Sequence, residues 1–61
     1  MPVLTAKELS GLSDQLDFEK VLCCKYQAAA QETTDDQLKN CFSKLADQHK
    51  QNYIALLGFL H

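Results

Sequence analysis

Apolar side chains recur along this chain in alternating steps of three and four, and that rhythm constrains the fold more than any other feature. In the first half Leu9, Leu12, Leu16, Cys23, Tyr26 and Ala30 keep the step, with Glu19 filling the one gap. In the second half Leu38, Phe42, Leu45, Leu56 and Phe59 keep it, with His49 and Asn52 in the gaps. A 3.5-residue repeat keeps one stripe of each helix facing a neighbour and identifies a left-handed packed bundle. Strand alternation is missing, β-branched residues are scarce, and Ala, Leu, Lys, Gln and Glu abound.

Start and stop signals divide the chain. Thr5-Ala6-Lys7-Glu8 forms a capping box, in which the Thr hydroxyl accepts from the backbone three residues on and the Glu side chain reaches back. Gly11 weakens the helical pattern and Ser13 offers a second cap. The reading is a short helix over about 6–11 and a main helix over about 14–31, with fusion of the two left open. Thr34 with Gln37 forms a further capping box, and Asp35 and Asp36 place negative charge at the positive end of a helix over about 35–60. So short a connection joins antiparallel neighbours, and 61 residues leave room for one domain, a helical hairpin over 1–61.

A second apolar stripe flanks each seam. Phe18, Leu22 and Ala29 form it in the first half, and Cys41, Tyr53 and Leu60 in the second. Two stripes per helix exceed what a lone hairpin can hide, and chains of this size are marginal alone. The expectation is a homodimeric four-helix bundle with core or dimer seam residues Leu12, Leu16, Leu22, Tyr26, Leu38, Phe42, Leu45, Tyr53, Leu56 and Phe59.

Charge and composition exclude several functions. Eight acidic residues face six lysines and no arginine, for a net charge of −2, and the lysines are scattered among acids. Nucleic-acid binding needs a basic stripe, so that partner is excluded. Met1-Pro2-Val3-Leu4 lacks the basic and apolar parts of a secretory signal, and no run approaches the roughly 20 apolar residues of a membrane span. A cytoplasmic protein with no membrane span is expected. Cys23, Cys24 and Cys41 are odd in number and lack Cys-x-x-Cys spacing, so they read as reduced thiols packed in or beside the core. Adjacent Cys23 and Cys24 point about 100° apart on a helix and do not readily share one metal.

Polar groups inside a seam need a cause. With the turn centred near Thr33 and Thr34, Glu19 lies about 15 residues before it and His49 about 15 after. An antiparallel hairpin puts them at one level, with Asn52 a turn further on. Three readings stand side by side. Glu19 and His49 form a buried pair that fixes register, with Asn52 helping; Glu19, His49 and Asn52 contribute to a metal site, zinc or iron, completed by a second chain; or Glu19 or Asn52 tilts to solvent. Catalysis is not expected, since no nucleophile stands with a base and an orienter, no Gly-rich phosphate loop is present, and His61 at the chain end is expected to fray. The apolar run Ile54 to Leu60 either docks a partner protein or caps the end of the bundle core.

Glu19 with Tyr26 seven residues on, and Leu45-Ala46 ahead of His49 and Asn52, resemble the helix motifs of rubrerythrin-type ferritin-like proteins. His49 falls where that family carries the Glu of Glu-x-x-His, and Asn52 where it carries the His, while Glu19 matches a bridging or terminal carboxylate. The resemblance implies a ferritin-like bundle, and the degenerate motif argues against a di-iron oxidase. Leu4-Thr5-Ala6-Lys7-Glu8-Leu9-Ser10, Asp14-Gln15-Leu16, Glu19, Lys25-Tyr26 and His49-Lys50-Gln51 with Tyr53 are similar, over almost the whole chain, to short coat-F-like spore proteins of clostridia. Relatives of that type tend to carry His where Asn52 stands. This likeness implies a structural or assembly role in or near the spore coat, with other spore proteins as partners and no established catalysis.

Overall fold

The computed structural model describes residues 3–60. Helix α1 spans Ala6–Glu32, helix α2 spans Asp36–Leu57, and a single 3-10 turn, Gly58–Leu60, ends the described chain. No strand occurs among the described residues, so the chain is all-helical. His61 lies outside the described residues, as do Met1 and Pro2.

Both arms of the first capping box are made. Glu8 N–H donates to Thr5 Oγ1 at 3.1 Å, and Thr5 N–H donates to Glu8 Oε1 at 3.0 Å. These bonds satisfy orphan donors of the first turn, and the Glu8 carboxylate complements the positive helix end. The expected division into helices over 6–11 and 14–31 is corrected, because α1 runs unbroken through Gly11 and Ser13. Gly11 keeps a negative φ, and a glycine inside a helix costs only about 1 kcal/mol relative to alanine. A 27-residue helix with a packed seam absorbs that cost.

The second cap is also corrected. Asp35, not Thr34, caps α2, its Oδ1 accepting from Gln37 N–H at 2.9 Å and Leu38 N–H at 3.1 Å. Thr33 holds the loop from the other side, its hydroxyl accepting from Asp35 N–H at 3.2 Å while its own N–H closes α1 on the Ala29 carbonyl at 3.1 Å. Three residues between the helices turn the chain back on itself, so α1 and α2 pack as an antiparallel hairpin.

The hairpin is long and narrow, 46 × 16 × 11 Å, a single layer of two helices. Its radius of gyration is 14.3 Å, against about 10.5 Å for a compact domain of this length. Burial follows from that shape. Leu12, Leu16, Leu22, Tyr26, Phe42, Leu45, Tyr53 and Leu56 lie half-buried between or beside the helices. Leu38 beside the turn and Phe59 in the 3-10 segment stay 47% and 52% exposed, because each sits where one helix has run out. Only Ala30, Ala46 and Glu19 are buried among the described residues, and one of those three is charged.

Candidate functional site

The buried carboxylate organises the one polar cluster inside the seam. Glu19 sits midway along α1 and is 6% exposed, so it does not tilt to solvent. Its Oε2 accepts from His49 Nδ1 on α2 at 2.7 Å and from Asn52 Nδ2 at 3.3 Å. Its Oε1 accepts from Gln15 Nε2, one turn earlier on α1, at 3.1 Å. Gln48 extends the cluster outward, donating Nε2 to Asn52 Oδ1 at 3.0 Å. Counting outward from the turn puts Glu19 and His49 at one level, and here they touch.

Rings hold the imidazole from the turn side. Tyr26 stacks on His49 with centroids 5.6 Å apart and planes 11° from parallel, and on Phe42 at 6.1 Å and 22°. With its ring packed this way and Nδ1 given to the carboxylate, His49 has one orientation and one tautomer at that nitrogen.

Hydrogen bonds from His49, then from Asn52 and Gln15, hold the Glu19 carboxyl below the usual carboxylate range, although burial opposes them. Its ionised form is thus the one the fold stabilises. No buried side-chain nitrogen or oxygen lacks a partner among the described residues, so the buried part of the cluster, centred on the Glu19 carboxylate, is satisfied within one chain.

That saturation bears on metal chemistry. A ferritin-like di-iron centre takes a Glu from each of two helices and Glu-x-x-His from the other two. Here Glu19, His49 and Asn52 come together, and among the described residues no group of three or more His, Cys, Asp or Glu does. Glu19 already spends its two oxygens on three protein donors. One carboxylate, one imidazole and one amide do not fit the di-iron set. Cys23 is half-buried, and Cys24 and Cys41 are exposed, with all three as thiols.

Two members of the cluster escape a reading of apolar rhythm. Gln15 and Gln48 occupy positions that look like ordinary solvent-facing sites. Their signal is spacing, because each stands four residues before the seam group it bonds, and side chains four apart meet on a helix.

The run Ile54 to Leu60 is mixed: Leu56 and Leu57 are half-buried, while Ile54, Phe59 and Leu60 are 51%, 52% and 45% exposed. No described helix is long and apolar enough to cross a membrane. Comparison with protein-family models, with curated proteins and with solved structures finds no match to this chain.

Proposed function

We propose that this chain is a non-enzymatic assembly module, half of a ferritin-like four-helix bundle that a second copy completes, in which Glu19, His49 and Asn52 set the register of the helices. The observation that carries this reading is surface. A folded monomer of 6.9 kDa exposes about 4,000 Å². This hairpin exposes 4734 Å². The excess, about 700 Å², is close to the roughly 800 Å² per partner that a stable protein interface covers. A domain also needs two packed layers around a core, and the hairpin supplies one.

The polar cluster supports a register role. A hydrogen-bonded group inside an apolar seam penalises every misaligned pairing, because a slip leaves Glu19 charged and without its donors. The alternative, zinc or iron held by Glu19 and His49 of two chains, uses the same residues but must first displace three hydrogen bonds from the carboxylate. Assembly in or near the spore coat rests on the coat-F-like resemblance alone. Immunodetection of the protein in fractionated spores tests that placement, and its confinement to the mother-cell cytosol would remove it.

Sedimentation equilibrium tests the assembly reading. The expected mass is twice the 6.9 kDa of one chain at tens of micromolar, with helicity and thermal midpoint both rising with concentration. A fully helical single chain whose melting is indifferent to concentration would overturn it.

A further inference from the structure

The two flanks of the hairpin differ, and the difference picks the face that a second copy covers. Residues two apart on a helix point about 200° apart, nearly opposite. Gln27 and Gln31 of α1 and Ser43, Asp47 and Lys50 of α2 border one shallow groove beside Ala30 and Ala46. Toward the turn that flank is therefore polar, while Leu9, Ile54 and Leu57 make its far end apolar. Ala29 stands two residues before Gln31, Cys41 two before Ser43, and Leu45 two before Asp47, which puts all three on the opposite flank. Leu22, seven before Ala29, shares their side, and Phe18, four before Leu22, lies at its outer edge.

Phe18, at mid-length of this flank, is 56% exposed and Phe59, past the end of α2, is 52% exposed, whereas the large apolar exposure on the groove side, Leu9 at 48% and Ile54 at 51%, is confined to the end of the hairpin away from the turn. Cys41 is exposed as well. The outer amides of the polar cluster emerge on this same side, since Gln15 is seven residues before Leu22 and Gln48 two before Lys50. An apolar surface with a small amide patch at mid-length is what a self-complementary bundle face requires, the patch meeting its own copy and admitting one alignment.

We infer that a second copy of this chain seats on the flank carrying Phe18, Leu22, Cys41, Leu45 and Phe59, leaving the groove of Gln27, Ser43 and Lys50 in water. The inference rests on the self-pairing reading above, whose excess of about 700 Å² per chain this flank would cover.

Two native thiols report on it without altering the fold. Cys24 and Cys41 are both exposed in one chain. Cys24, two residues past Leu22, points away from the proposed interface, whereas Cys41 lies within it. Iodoacetamide labelling of the full chain, read at each cysteine by peptide mass spectrometry, should modify Cys41 at least tenfold more slowly than Cys24 in the dimer. Dilution to single chains should bring the two rates together. Equal rates in a protein that sediments as a dimer would overturn the choice of flank and leave the self-pairing intact. A single-chain mass at all concentrations would overturn both. Phe18→Lys, at a site that touches little within one chain, should weaken self-association at least tenfold, and Gln27→Lys should leave it unchanged; the reverse ranking would also overturn the inference.

Discussion

Glu19 Oε2 and His49 Nδ1 lie 2.7 Å apart although 30 residues separate them, and this pair pins the middle of α1 to the middle of α2. Removing one partner leaves the other buried without its bond, and replacing both by apolar groups of similar size does not. Glu19→Leu alone should lower the thermal midpoint by on the order of 5 °C. Glu19→Leu combined with His49→Leu should restore it to the parent value or above. Thermal melts of the two single variants and the double, read as a cycle, check this. A double variant weaker than either single would show that the pair contributes net stability beyond its register role.

Acid should loosen the hairpin in a defined direction. Glu19 and Glu8 are both held below the ordinary value of 4.5, the first chiefly by His49 and the second chiefly by the Thr5 backbone N–H. A carboxyl that titrates lower in the fold than in the unfolded chain stabilises fully above the unfolded value, and the benefit drains as pH falls through the folded one. Stability should therefore stay level on the neutral side and decline below about pH 4.5. Glu19→Gln should flatten part of that acid limb in urea titrations run at a series of pH values. An unchanged slope would remove Glu19 from the linkage.

Gly11 offers a stabilising change. It sits in the first third of α1 with no positive φ, and a methyl group added there would meet nothing within 4 Å. Gly11→Ala should then gain about 0.5–1 kcal/mol, mainly by restricting the unfolded chain. Urea midpoints measure it, and a loss would mean that the space is taken in the assembled protein.

Caps separate two neighbours that look alike in sequence. Asp35 accepts from two backbone N–H groups, while Thr34 holds no cap bond. Asp35→Ala should cost about 1 kcal/mol. Thr34→Ala should change stability by no more than about 0.5 kcal/mol, as exposed substitutions usually do. Equal losses would return the capping role to Thr34.

The hairpin and the Glu19–His49 level are legible in the sequence because both depend on counting: apolar steps place the seam, and distance from the turn places the pair. Competition between neighbours is not legible in that way. Thr34 and Asp35 each satisfy a cap rule, and only the loop, in which Thr33 takes Asp35 N–H, decides between them. Gly11 reads as a break because local propensity is weighed there without the packing that overrides it. Gln15 and Gln48 are indistinguishable from surface residues until Glu19 and Asn52 are placed beside them. The polar groove that tells one flank from the other needs both helices at once.

Tyr26 joins the aromatic and polar halves of the seam, and its removal tests how far they depend on each other. Its ring stacks on Phe42 and on His49, so both faces are engaged, and such pairs contribute about 0.5–1.5 kcal/mol each beyond the area they cover. Tyr26→Leu keeps most of the apolar volume and loses both stacks. A loss of about 1–3 kcal/mol is expected from the two together. The loss should shrink when Tyr26→Leu is made in a chain already carrying His49→Leu, because one stack is then gone beforehand, and it should shrink by more than the about 0.5–1.5 kcal/mol of that stack if the ring also orients His49. Urea melts of the four members of that cycle measure the coupling. A shrinkage no larger than that one stack would show that Tyr26 packs beside His49 without positioning it, and the register would then rest on the hydrogen bonds of Glu19 alone.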